Sequence, residues 1–466
     1  MSMRCAFALL AAIAISNTVA AASVSNATIA RQAQRVLDRV VALTDGPGAV
    51  VLIARGDAVI FRAARGSAQI ELAVPLAADD AFRIASVTKM FTAATVLKLA
   101  ELGKLAIDDP LIKYLPDFPE ASRITLRELL NHTSGVSDVV KDPQPGFSRR
   151  DVDTDTLVAG IRARPLDFPP GTRWAYSNSG YILLGAVIEK ATGQPWHVAL
   201  RTYVLDPLRL EHTQFGAQDP LIAKRVAGYT TDPQLRTTRN AAYISATIPA
   251  AAGALVSTVD DLRVWMRALA SGRVIGADSF EQMIAPAPEL PGASSQHGYG
   301  LGIYLYHLRG NTMFGHTGQI NGFASFAAYL PKQQITVVVL ANDDNFDART
   351  TGKRLAAIAL GEPFAETVAV PMPDELMEAL VGTYRIDENM LETLSIKDHR
   401  LFARRGNGST IPLQMTANHQ LHFVPDELGY FVPIRNAEGV VSRLEFFQEG
   451  EGPPRLLPRV ESKGDL

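Results

Sequence analysis

The sequence predicts an α+β fold carrying a separate, small antiparallel β module, and three observations predict it. Val- and Ile-rich strand candidates lie near residue 50 and return between residues 312 and 340. Mostly helical segments cut by Pro and Gly fill the interval. A second series of short, turn-punctuated strand candidates follows residue 373. The chain has 466 residues, 47% hydrophobic and 20% charged. At roughly 100–200 residues per domain this is two to three domains with a large core, which excludes disorder, collagen and coiled coil.

The first 22 residues read as an address. Arg4 precedes ten apolar residues, Ala6 to Ile15, and the run Ala20-Ala21-Ala22 offers a small-residue cleavage site. A positive start, a short apolar stretch and an A-x-A site describe a secretory signal peptide. Cleavage is expected after Ala22, and a periplasmic or secreted location follows. The apolar stretch is shorter than the ~18–20 residues of a spanning helix, and no later stretch reaches that length. No integral membrane segment is therefore expected after cleavage.

Ala49 to Ala54 and Ala58 to Ala64, separated by Arg55-Gly56-Asp57, predict a β-hairpin. From Ser86 to Leu102 the apolar spacing becomes helical, with Met90, Ala93, Ala94, Leu97 and Leu102 on one face and Gly103 as the stop. Residues 105–300 read as mostly helical. Strands are expected at Thr312–His316, Phe323–Leu330 and Ile335–Leu340, then a helix from Asn345 to Leu360. A sheet drawn from both ends of a domain around a helical insertion is an α+β arrangement. The domain so defined runs from 23 to 361.

Residues 362–373 carry three prolines and read as a linker. In the remaining module, 374–466, strand candidates lie at 382–384, 392–396, 400–403, 420–424, 430–434 and 443–448, which suggests a small barrel or sandwich. Tyr384, Phe402, Phe423, Tyr430, Phe431 and Phe446 are its expected core.

The charge balance, 45 Lys+Arg against 48 Asp+Glu for a net −3, gives no basic block, so nucleic-acid and polybasic membrane-surface partners are not expected. The single cysteine, Cys5, lies in the signal segment, which excludes a disulfide framework and thiol catalysis in the mature protein. The nine histidines lack zinc-ligand spacing, so neither metal nor cofactor is expected. Asp151 to Asp155 imitates the start of a calcium loop, but Thr156 and Arg162 stand where Gly and Glu are needed.

Hydroxyl nucleophiles remain, and a serine needs an adjacent base. In Ser86-Val87-Thr88-Lys89 the three-residue spacing puts both side chains on one helical face. The helix N-terminus adds N–H donors near any oxyanion formed there. A chain of this length contains about one or two Ser-x-x-Lys matches by chance, so the downstream motifs matter: Tyr176-Ser177-Asn178 after Pro169-Pro170-Gly171, and His316-Thr317-Gly318 beside a strand candidate.

With Leu129-Leu130-Asn131-His132-Thr133-Ser134-Gly135, this ordered set resembles the serine β-lactamase and penicillin-binding-protein-like hydrolases. The branch it is most similar to holds class C β-lactamases, a DD-carboxypeptidase, D-amino-acid peptidases and family VIII esterases. The resemblance covers residues 45–345. It implies an antiparallel sheet flanked by helices with an all-helical subdomain. It also implies Ser86 as acylated nucleophile, with Lys89 and Tyr176 sharing general-base and general-acid work. Asn178 would bind a substrate amide or position Lys89. His316, Thr317 and Gly318 would flank the substrate, Thr317 facing its carboxylate. The backbone N–H groups of Ser86 and Gln319 would form the oxyanion hole. His132 is implied as a loop organiser, and the C-terminal module resembles the lipocalin-like barrel of some D-amino-acid peptidases.

Two departures mark this sequence. The second motif begins with Tyr, and although Glu128 lies upstream, class A glutamate-assisted deacylation is not supported. The third begins with His316 where class C enzymes usually have Lys. At its unperturbed pKa near ~6.5 that histidine predicts stronger carboxylate preference below pH 6.5. The expected activity is hydrolysis of D-amino-acid or cell-wall-type peptide amides through an acyl-enzyme. The alternatives are a carboxylesterase or weak β-lactamase on the same site, and a slowly turning-over penicillin-binding or penicillin-sensing protein. The expected partner is a small-molecule or peptide substrate; the oligomeric state is open.

Overall fold

The computed structural model describes residues 24–140, 147–217, 221–232, 235, 237–292, 298–365, 367–387, 390–424 and 428–460. Residues 1–22, where a signal segment containing Cys5 is expected, lie outside them. Seven strands form the main sheet: β1 (Ala49–Arg55), β2 (Ala58–Arg65), β3 (Gly298–Tyr299), β4 (Tyr304–Leu308), β5 (Asn311–Ile320), β6 (Phe323–Leu330) and β7 (Ile335–Ala341), in the order β3-β4-β5-β6-β7-β1-β2. Each pairing is antiparallel. The order joins the two ends of the domain where β1 meets β7, from Ala49 opposite Ala341 to Arg55 opposite Ile335.

Alternation explains why β1 reads as an unbroken apolar run. Val50, Leu52 and Ala54 enter the core on one face, and Ala49, Val51 and Ile53 the core on the other. Both faces are covered, so neither set can be polar. The second core is closed by α1 (Asn26–Val40) and by a C-terminal helix, Ala348–Leu360, through Ile29, Leu37 and Leu355. The first core belongs to the helical layer, including α2 (Thr88–Glu101), α3 (Asn178–Thr192), α4 (Ala250–Gly253) and α5 (Val259–Ala270). The Ala348–Leu360 helix is α6. Trp265 of α5 stacks on Phe91 of α2 with ring centroids 3.9 Å apart.

Several local expectations need correction. The segment Ala85–Val87 is a 3-10 turn, and the α-helix starts at Thr88. Val87 N–H bonds Ile84 C=O, and Ala85 sits at φ 46°. The helix α2 is buried on nearly every side rather than along one face, while Leu102 is 49% exposed. Strand β5 extends to Ile320, and β3 and β4 lie where no strand was expected. The short Tyr-rich stretch of β4 gains its strand form from β5, pairing Tyr304 with Gly315.

The C-terminal module closes as an eight-stranded antiparallel barrel. Its strands are β8 (Gly382–Arg385), β9 (Leu391–Lys397), β10 (Arg400–Arg405), β11 (Thr410–Thr416), β12 (Leu421–Phe423), β13 (Tyr430–Arg435), β14 (Val441–Phe447) and β15 (Arg455–Val460). They run β11-β10-β9-β8-β15-β14-β13-β12, and β12 pairs back to β11, removing the open edges. Phe402 and Tyr430 depart from the expected core, because Leu401, Ala403 and Phe431 take the inward positions beside them. Within the expected linker, Ala369–Val370 pairs with Thr416 and Met415. Asp153 caps the helix Thr154–Arg162 through Thr156 N–H at 2.8 Å, which accounts for that part of the calcium-loop imitation.

Candidate active site

Ser86, Tyr176, Asn178, His316, Thr317 and Gln319 line one cavity of about 370 Å³ between the helical layer and β5. Lys89 lies beneath Ser86 with no solvent exposure. Its Nζ is 3.2 Å from Ser86 Oγ, 2.7 Å from Asn178 Oδ1 and 2.9 Å from Ala252 C=O. Burial lowers its pKa to about 7, against an opposing pull from the negative charge of Asp138. A neutral amine has two N–H donors and one lone pair. With Asn178 and Ala252 taking the donors, the lone pair is left to accept the Ser86 proton.

Asn178 is the first residue of α3, which Ser177 caps through Oγ to Gly180 N–H. Asp138 Oδ2 accepts from Asn178 Nδ2 at 3.0 Å, turning the amide oxygen toward Lys89. Tyr176 precedes this cap. Its ring centroid is 4.8 Å from Lys89 Nζ, and its hydroxyl bonds Ser86. Burial raises the Tyr176 pKa well above the ordinary value, so the phenol stays protonated.

The loop before Tyr176 is built on His132. Its carbonyl accepts from Ala175 N–H at 3.0 Å and its Nδ1 from Ser177 N–H at 3.2 Å. Thr133 C=O similarly accepts from Gly171 N–H at 2.8 Å. His132 is fully buried at φ 65°. Trp174 packs edge-on against His132 and Tyr299 and is absent from the cavity lining.

Gly318 answers a packing requirement. A Cβ there would lie 2.3 Å from both Ile84 O and Ser325 Oγ. Ser325 Oγ itself donates to Ile84 C=O at 2.8 Å. The missing side chain lets β5 lie directly against the segment that carries Ser86. Gln319 lines the cavity while its amide nitrogen donates to Asp344 C=O at 2.6 Å.

His316 departs from its expected titration. It is 1% exposed, with Nδ1 2.5 Å from Thr317 C=O and Nε2 3.2 Å from Tyr299 Oη. Burial, and next the charge of Lys89, lower its pKa to about 3. The expected change near pH 6.5 therefore has no titrating group at this position.

Asp138, Ala252, Tyr299 and Tyr304 belong to the site but went unrecognised in the sequence. Ala252 had one signal, the run Pro249-Ala250-Ala251-Ala252-Gly253. Small side chains let α4 approach α2, where Thr92 Oγ1 donates to Ala251 C=O at 2.6 Å. Among the described residues, no group of three or more His, Cys, Asp or Glu is placed to hold a metal, and no helix is long and apolar enough to cross a membrane.

An antiparallel sheet packed on a helical layer, with a buried amine beneath a serine in their crevice, defines a class of serine hydrolases. The chain belongs to the Beta-lactamase family, whose model matches residues 33–360. It is 35% identical over 214 residues to esterase EstB of Burkholderia gladioli, a match covering 42% of this chain and 54% of the esterase, about half of that relative's length. The D-stereospecific amidohydrolase of a Streptomyces species superposes with a TM-score of 0.63 at 29% identity, covering 71% of this chain and 99% of that one. The octameric penicillin-binding protein homologue of Pyrococcus abyssi shares the fold over 92% of this chain and 99% of its own, with a TM-score of 0.66 at 22% identity.

Proposed function

We propose that this protein is an exported serine hydrolase that forms an acyl-enzyme on Ser86 and cleaves amide bonds of D-amino-acid or cell-wall-type peptides. The observation that carries the reading is the buried Lys89 amine 3.2 Å from Ser86 Oγ, with a pKa lowered to about 7. Export rests on the pattern of residues 1–22, and the peptide class on the motif order and the D-stereospecific structural neighbour.

Ser86 Oγ gives its proton to Lys89 and attacks the substrate carbonyl carbon. The backbone N–H groups of Ser86 and Gln319 receive the oxyanion, each such donor being worth about 2.7–4 kcal/mol in the transition state. Collapse breaks the bond to the leaving group, which takes a proton relayed from Lys89 through Tyr176. Water then attacks the acyl carbon, releases the acid and returns the proton to Ser86. A carboxylesterase on the same residues is the second reading, favoured by the similarity to EstB and by a described lining without charged side chains.

Intact-mass spectrometry of wild type and Ser86→Ala with a penicillin, a p-nitrophenyl ester and a D-Ala-D-Ala peptide tests this. Transient adducts with product release on wild type alone are expected. A persistent adduct points instead to a slow penicillin-binding protein. Equal behaviour of Ser86→Ala overturns the mechanism.

A further inference from the structure

We propose that a second cleft, sharing a wall with the active-site cavity, binds an organic ammonium ion with an apolar body, and that its occupancy is felt at Lys89. The binding site itself is independent of the acyl-enzyme reading.

The cleft has a volume of about 640 Å³, larger than the active-site cavity. One short segment forms a wall of both. Ile244, Pro249 and Ala252 line the active-site cavity, while Thr247 and Ala250 line the second cleft. Ala250 opens α4 at φ 40°, a strained state for a residue with a Cβ, which only surrounding packing sustains. Two residues on, Ala252 C=O accepts from Lys89 Nζ at 2.9 Å.

Aromatic rings line one side of the cleft. Trp196 meets Phe215 edge-on with centroids 5.6 Å apart, and His197 stacks on Phe215 at 4.7 Å. Burial, and next the charge of Arg201, lower the His197 pKa, so this ring carries no opposing charge at neutral pH. Arg201 itself pairs with Asp206 at 3.4 Å. Such ring faces attract a cation and cover the apolar body attached to it.

The polar side of the lining sets the sign of the ligand. Glu189 Oε1 accepts from Thr154 Oγ1 at 3.0 Å and from Trp196 N–H at 3.1 Å, which leaves Oε2 without a hydrogen-bond partner among the described residues. Burial raises the Glu189 pKa, because the carboxylate has lost water that its partners do not replace. Asp155 adds a second carboxylate, and Asp153 is spent on capping Thr156 N–H. Against them the described lining sets one cation, Lys190, in the last turn of α3. The cleft also meets Gly193, just past that helix, where terminal carbonyls favour positive charge. An anion would face both carboxylates, and a neutral ligand would leave Glu189 Oε2 dry and unpaired.

The shared wall carries the effect to Lys89. A ligand touches Thr247 and Ala250 only while the wall holds this arrangement, which is the one that sets Ala252 C=O on the amine. Occupancy therefore favours it over any alternative.

The probe is 2-phenylethylammonium, titrated by calorimetry into the full chain and into Ser86→Ala, with 2-phenylethanol and 3-phenylpropionate as neutral and anionic matches. Saturable binding of the ammonium to both proteins is expected, at least about tenfold tighter than the alcohol, with the carboxylate weaker still. Glu189→Gln keeps an acceptor for Trp196 N–H, and Asp155→Asn alters an exposed side chain. Together they should weaken binding at least about tenfold. Occupancy should speed fluorophosphonate labelling of Ser86 at least about fivefold in wild type and not in the double variant. Absent binding, equal affinity for the alcohol, or affinity untouched by the double substitution overturns the site. Labelling slowed equally in wild type and double variant places the ammonium in the active site and overturns it too. Intact binding with unchanged labelling overturns the coupling through Ala252. Failure of Ser86 to label at all refutes the acyl-enzyme reading instead, and calorimetry then decides the cleft separately.

Discussion

Lys89 Nζ lies 2.7 Å from Asn178 Oδ1, joining the first motif to the second across 89 positions of chain. The bond spends one amine donor on a fixed acceptor. It thereby ties the orientation of the Lys89 lone pair to the N-terminus of α3 and, through Asn178 Nδ2, to Asp138.

The pH dependence follows from that amine. With a pKa lowered to about 7, Lys89 is protonated below this value and cannot accept the Ser86 proton; above it the base is free. The rate should therefore rise as pH passes upward through about 7, as kcat/KM between pH 5 and 9 would report. Lys89→Met should lower kcat by about 10²–10⁴-fold. A flat profile across pH 5.5–8 in wild type contradicts the assignment.

Asp138 tunes the same group. Its charge raises the Lys89 pKa against the desolvation that lowers it. Asp138→Asn keeps an acceptor for Asn178 and removes the charge, so the acid limb should move to lower pH. A limb that stays in place would show that this charge is screened.

In the proposed relay the Tyr176 phenol, held well above its ordinary pKa by burial, acts in its protonated form. Tyr176→Phe should reduce kcat by about 10²–10⁴-fold through loss of the relay. Circular dichroism and thermal unfolding of this variant should match wild type, separating chemistry from folding.

Gly318→Ala tests the approach of β5 to Ser86. A Cβ 2.3 Å from Ile84 O and Ser325 Oγ forces the strand outward. Overpacking should cost about 1–3 kcal/mol in denaturant unfolding. Displacement of the strand should cost about 10²-fold in kcat/KM. Wild-type activity in the folded variant would show that the spacing is not critical.

The barrel is held to α6 by Glu449, which meets Lys353 at 2% and Arg349 at 38% side-chain exposure. Glu449→Ala leaves the Lys353 ammonium buried without this carboxylate, and breaking such a pair costs about 3–5 kcal/mol. Chemical denaturation of the full chain should show the loss. An unchanged midpoint would place the docking strength elsewhere in the interface.

Local spacing was enough to place Ser86 and Lys89 together, because three residues of right-handed helical geometry do so whatever surrounds them. Composition and apolar runs likewise determined the α+β order, the uninterrupted β1 and β6, and the serial strands of the C-terminal module. They could not determine which carbonyl would accept a hydrogen bond from Lys89, that Asp138 would steer Asn178, or that β12 would pair back to β11. They also left His316 at its solution pKa. Those outcomes depend on groups brought together over long chain separations. Burial, which moved Lys89 and His316 far from their solution values, is a property of the packed whole: only tertiary structure decides which charges lose their water and which partners replace it.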